Sequence, residues 1–266
     1  GSLAAGGTLG ILIPPSINMI IYAVLTDTSV TDLYLAAMIP GALLAVMFSF
    51  AIFAACVIKP SLSGTREPAT WDQRIKALKH LLPPILLFVI VVGSIYAGLA
   101  TPTEAASLGV VASLIFGFAR RRINGPVLLL AFEGTMRTTA MVSLIVVMAF
   151  FLNFVLQSIG VTEFINEFMD GLDLNPMLAM VAIIAFYLLL GMFMETLSLM
   201  IATTPIVVPV ILALGFDQVW FGVLFMILIE AALITPPIGV NLFVVQAVRG
   251  EGPFRDVVLG SLPFLL

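Results

Sequence analysis

Charge is scarce in this chain: only 10% of its 266 residues are Asp, Glu, Lys or Arg, against roughly a quarter in soluble domains. That shortage excludes an ordinary water-soluble fold. There is one cysteine, Cys56, and it lies in an apolar run. An internal disulfide is therefore excluded, and a thiolate metal site finds no support. The one histidine, His80, follows a polar stretch and reads as a residue at headgroup level. With one His, one Cys and no carboxylate pair at ligand spacing, the sequence argues against an intramembrane enzyme. No catalytic residues and no cofactor are expected. The basic triplet 120–122 reads as a topology anchor, and no nucleic-acid partner is expected.

What is abundant is apolar sequence. Hydrophobic residues make up 61% of the chain and the mean hydropathy is +1.21. Apolar stretches fall at about 8–26, 33–58, 81–99, 104–119, 134–158, 176–194, 197–214, 219–248 and 257 onward. Several reach the ~18 residues that mark a spanning helix. The expected fold class is an all-α polytopic membrane protein in the lipid bilayer. The chain opens and closes inside apolar runs, which predicts a piece of a longer protein.

Orientation follows from the basic residues. If the polar connection 59–80 is cytoplasmic and the chain alternates, all eleven Lys and Arg fall at the inner side. The outer connections then hold acids only: Asp27, Asp32, Glu104, Glu163, Glu167, Asp170, Asp173 and Asp217. This is the positive-inside pattern. Within 59–80, Pro68 and the Thr70/Asp72 pair predict a short amphipathic helix to about His80, lying at the interface. "ATPTEAAS" predicts a helix start with Thr101 as cap, Pro102 at the first position and Glu104 near the positive end.

Two apolar runs carry faults. "GGTLGILIPPSINMIIY" (6–22) holds Pro14 and Pro15, and "EAALITPPIGVNLF" (230–243) holds Pro236 and Pro237. Proline removes a backbone donor and clashes with the preceding turn, leaving carbonyls open where water is scarce. In the topology above, the first faulted helix runs inside to outside and the second outside to inside. Two broken helices of opposite direction are the mark of inverted repeats with a binding site at mid-membrane. Open carbonyls and hydroxyls suit a desolvated hard cation such as sodium. Thr8 and Ser16 flank the first fault, and Thr235 and Asn241 the second.

Between them lies "LLLGMFMETLSLMIATTPIVVPVILALG" (188–215), whose apolar arms meet at "GMFMETLS" without Lys or Arg. The expected form is a re-entrant hairpin over 176–214 with its tip at Gly191–Ser198; two short full spans remain the alternative. Glu195, with Thr196 and Ser198, would then sit at depth, where a carboxylate is a functional candidate. A capping role for "ETLS" is the other reading. Thr203 and Thr204 would face the broken helix.

Four stretches together resemble one family: "AAGGTLGILIPPSI" (4–17), "YAGLATPTEAASLG" (96–109), "GMFMETLSLMIATTPIVVPV" (191–210) and "ITPPIGVNLFV" (234–244). They resemble the large membrane subunit of TRAP (tripartite ATP-independent periplasmic) transporters, of the ion-transporter superfamily. The resemblance implies an elevator-type permease with two re-entrant hairpins, each followed by a broken helix. It implies a small membrane subunit and a periplasmic substrate-binding protein as partners, sodium as coupling ion, and an organic anion such as a dicarboxylate or sialic acid as substrate. It places the protein in a bacterial or archaeal inner membrane. Gly7–Ser16 then matches the broken helix after the first hairpin, and Thr235–Asn241, with Pro236, Pro237 and Gly239, its counterpart. A sodium site is expected near Thr235, Gly239 and Asn241.

The resulting division is 1–26, a broken helix closing the first repeat; 27–58, a spanning helix; 59–80, a cytoplasmic connection; and 81–158, spanning helices. Then come 159–175, a periplasmic connection; 176–214, the hairpin; 215–248, the second broken helix; and 249–266, the start of a last helix. A sodium–dicarboxylate carrier that needs no binding protein, and an ion channel, are the competing functions.

Overall fold

The computed structural model describes residues 1–60, 70–160, 164, 175–250 and 252–265. Most of the connection 159–175, and 61–69 with Pro68, lie outside them. Among the described residues the regular structure is helical, and five helices are long and apolar enough to cross a membrane. The protein is an all-α polytopic membrane protein.

The chain divides into two compact units, 1–55 with 144–266 and 56–143. In the first unit, α1 (Ser2–Leu12) and α2 (Ile17–Thr26) are separated by a four-residue break with a 41° bend. α3 (Val30–Ile58) follows. Later in the chain come α7 (Pro176–Gly191), α8 (Thr196–Ala213), α9 (Gln218–Leu233), α10 (Val240–Arg249) and α11 (Phe254–Ser261). A 3₁₀ turn, Leu262–Phe264, closes the described chain. A last apolar helix is expected from 257; the helix instead begins at Phe254 and stops at Ser261, two residues before Pro263, which has no N–H to donate.

α9 is the centre of this unit, with α1, α2, α7, α8 and α10 all packed on it. Phe221, Phe225, Met226, Ile229 and Ala232 are buried to 2% exposure or less, as expected of a helix apolar on all sides. Tyr187 of α7 and Tyr22 of α2 lie against Phe225 with centroids 4.5 and 6.2 Å away. Tyr22 donates from its hydroxyl to the Gln218 carbonyl at 2.9 Å, and Gln218 Nε2 donates to the Thr26 carbonyl at 2.9 Å. Two glycines make the close approaches. A Cβ on Gly222 would stand 2.5 Å from Tyr22 Cε1, and one on Gly191 would stand 2.5 Å from Ala232 Cβ.

In the second unit, α4 (Trp71–Tyr96) packs on α5 (Pro102–Ala119). The expected amphipathic helix does start after Thr70, which accepts from Gln73 N in a capping box. It does not end near His80: α4 runs on through Pro83 and Pro84 to Tyr96. α5 has the expected start, with Glu104 N donating to Thr101 Oγ1 at 3.4 Å and Thr101 N to Glu104 Oε2 at 2.8 Å. α6 (Gly125–Ser158), whose residues from 144 on belong to the first unit, begins nine residues before the expected 134. Its 34 residues span about 50 Å, more than a ~30 Å hydrocarbon core requires. Glu133 and Arg137 thus lie on the helix rather than in or beside a loop.

Candidate ion site at two broken helices

The first break is written by its prolines. In a continuous helix the amides of residues 14 and 15 would serve the carbonyls of Gly10 and Ile11. Both positions are proline, so those carbonyls have no helical donor. The ladder ends with Ile13 N donating to the Leu9 carbonyl at 2.8 Å. Thr8 is fully buried and donates from Oγ1 to the Ala5 carbonyl at 2.8 Å. Ser16, in extended backbone before α2, is 2% exposed and its Oγ has no hydrogen-bond partner. Its carbonyl accepts from the Tyr34 hydroxyl at 3.3 Å.

The second break, residues 234–239, lies between α9 and α10. Ile234 N and Thr235 N donate to Ala231 and Ala232 carbonyls at 3.2 and 3.1 Å. Thr235 Oγ1 donates to the Ala231 carbonyl at 2.6 Å. Gly239 has φ +50°, and the carbonyl oxygens of Thr235 and Leu233 stand 3.0 and 3.1 Å from where its Cβ would be. Only glycine admits that approach of two carbonyls to one backbone position. The Pro14–Pro15 and Pro236–Pro237 bonds are both cis.

α1 and the α9–α10 chain run antiparallel and bring the breaks together. Glu230, on the last full turn of α9, comes close to the backbone of Leu12, the end of α1. Past the second break, Asn241 Nδ2 donates to the Ala4 carbonyl at 3.5 Å and lies 4.0 Å from where a Gly7 Cβ would be. Since Glu230 lies beside Leu12, one residue short of the first break and four short of Ile234, the two breaks start about 7–8 Å apart along the antiparallel helices.

α8 packs on α2 and on α9. Thr203 accepts from the Tyr187 hydroxyl at 2.8 Å and donates to the Leu199 carbonyl at 2.7 Å. Thr204 is 2% exposed with Oγ1 unpartnered, and Thr196 is buried. Glu195 is the N-cap of α8: Oε2 accepts from Ser198 N at 3.0 Å and from Ser198 Oγ at 3.3 Å, and both residues are exposed. Among the described residues no hydrogen bond joins Glu195 to either break. No cluster of three or more His, Cys, Asp or Glu exists among them either.

Sequence reasoning passed over Glu230. It is 2% exposed, and neither carboxylate oxygen has a hydrogen-bond partner. Its signal was available: it is the acid within the apolar run 219–248, and an intramembrane carboxylate is a functional candidate by default.

The helix starts also differ. Thr70, Thr101, Asn175, Glu195 and Asp217 each cap the helix that follows with a side-chain oxygen. α2 and α10, which follow the breaks, have no side-chain cap, and neither do α1 and α11. At α10 the Leu242 amide donates to the Gly239 carbonyl at 2.7 Å, and no side chain serves the amides before it.

Paired broken helices with open carbonyls are the architecture of transporters built from inverted repeats, and such carbonyls also line channel filters. The whole chain, 1–266, matches the family "Tripartite ATP-independent periplasmic transporter, DctM component", and the protein belongs to it. It is 33% identical to the C4-dicarboxylate TRAP transporter large permease protein DctM of Vibrio cholerae, over all of this chain and 62% of that protein. It is 32% identical to the sialic acid TRAP transporter large permease protein SiaM of the same organism, with the same coverage. It is 31% identical to the ectoine TRAP transporter large permease protein TeaC of Halomonas elongata, over 97% of this chain and 60% of that protein. The chain thus spans about three-fifths of the length of these relatives. The relatives are transporter permease subunits, not enzymes.

Proposed function

We propose that this chain carries an ion- and substrate-handling half of a sodium-coupled TRAP permease that takes up an organic anion, either a dicarboxylate or a sialic-acid-like acid. In this reading α7 and α8 form a re-entrant hairpin, and the two broken helices belong to inverted repeats that move as an elevator. The small membrane subunit and a periplasmic binding protein are its partners, in the inner membrane. Relatives named for C4-dicarboxylate and sialic acid support the substrate class.

The observation that carries the reading is the chemistry left open at the breaks. The Gly10 and Ile11 carbonyls have lost their helical donors to Pro14 and Pro15. Ser16 Oγ and Thr204 Oγ1 are buried without partners. The Leu233 and Thr235 carbonyls converge at Gly239, beside Asn241. Each is an oxygen donor of the kind a desolvated sodium ion takes, and burial without a partner is costly unless such a ligand arrives. The uncapped starts of α2 and α10 supply the opposite polarity, amides suited to a carboxylate. Sodium and anion would thus be met by opposite ends of the same broken helices.

The test is reconstitution of the full-length permease and its small subunit in proteoliposomes, with the binding protein outside. Uptake of labelled C4-dicarboxylate or sialic acid is expected only with an inward sodium gradient and the binding protein. Uptake that persists without the binding protein would favour the stand-alone carrier, and uptake indifferent to sodium would overturn the coupling.

A further inference from the structure

We propose that Glu230 forms a cation site of its own, holding a desolvated monovalent cation in an apolar groove at the end of α9; this rests on the reading of the protein as a cation-driven permease. The site is distinct from the hydroxyls and carbonyls assigned above. Glu230 sits on α9, four residues before Ile234, and lines a groove of about 360 Å³ beside α3 and the 3₁₀ turn. Leu44, Phe48, Ile227, Ile234 and Phe264 are among its walls, and every other lining residue is apolar. Among the described residues that line it there is no Lys, Arg or His.

The carboxylate is 2% exposed, with neither oxygen hydrogen-bonded. The walls of the groove offer it no polar side chain. A bare carboxylate in apolar surroundings is deprived of water and of a counter-charge. A cation seated beside it removes both penalties at once. A monovalent ion suits one carboxylate and two or three neutral oxygens. Sodium and the proton share that chemistry.

The experiment uses the full-length permease with its small subunit, purified in detergent, and reads the thermal unfolding midpoint. One arm titrates NaCl against choline chloride at fixed pH; the other varies pH in choline. In Glu230→Gln, a sodium site predicts a tenfold or greater rise in the half-maximal sodium concentration. A proton site predicts an unchanged sodium curve with a flattened pH curve. Superposition of both curves on wild type overturns the proposal. So does a midpoint lowered equally at every sodium concentration and pH, the signature of a protein cation paired with Glu230. If Glu230→Gln does not accumulate, Glu230→Asp keeps the charge but withdraws it by one methylene, and the same shifts are expected and the same superposition overturns. A wild-type complex that sodium neither drives nor stabilises would count against sodium coupling, and the pH arm alone would then decide Glu230.

Discussion

Asn241 Nδ2 donates to the Ala4 carbonyl across 237 positions of sequence, tying the helix after the second break to the helix before the first. The contact is long, 3.5 Å, and so weak as a stabilising bond. It places Asn241 against α1, on the helix pair that carries both sets of open oxygens.

Asn241→Ala is therefore expected to cost at most about 1 kcal/mol of stability, while raising the sodium concentration for half-maximal uptake several-fold. Expression and unfolding midpoint check the first part, and a sodium titration of uptake the second. Wild-type sodium activation at equal expression would remove Asn241 from the site.

Ser16→Ala and Thr204→Val separate ligand from packing by sign. Both hydroxyls are buried without partners, so in sodium-free buffer their removal should be neutral or stabilising. In sodium the same variants should lose part of the stabilisation seen in wild type. Thermal unfolding in choline and in sodium reads both, and equal sodium stabilisation in variant and wild type would leave the hydroxyls as mere defects.

Gly222→Ala places a methyl 2.5 Å from Tyr22 Cε1, whereas Gly6→Ala meets nothing within 4 Å. The first should destabilise by about 1–3 kcal/mol through overpacking. The second should stabilise by about 0.5–1 kcal/mol through helix propensity. The comparison is one of unfolding midpoints in the full-length protein.

Thr101→Ala removes the capping box of α5 and should cost about 1 kcal/mol, with Thr101→Ser restoring most of it. Sodium dependence of uptake should stay as in wild type, because the box serves a helix end and no ion.

Much of this was legible in sequence. The all-α membrane class follows from scarce charge, and the α5 start from the order Thr101, Pro102, Glu104. Both breaks coincide with proline pairs. Yet Pro83–Pro84 is also a pair, and α4 passes through it unbroken. The carbonyls it strips are those of Lys79 and His80, in an exposed polar stretch where water or headgroups can serve them. A proline pair by itself therefore does not decide whether a helix breaks; what surrounds the stripped carbonyls matters as well, and that is a property of the whole fold. Glu195 and Glu230 show the same limit. Both lie in apolar sequence, but one turns outward to cap α8 and the other inward beside α1, and only the packing of α9 separates them.

That packing has a consequence for how the protein can change over generations. A helix with a lipid-facing side can drift there among apolar residues at little cost. α9 has almost no such side: from Phe221 to Leu233 every position is buried or half-buried. A saturation mutagenesis map should therefore show it as a band intolerant on every turn, flanked by helices tolerant on one face. New substrates would have to be acquired by altering the elements around it, with α9 held as the common frame.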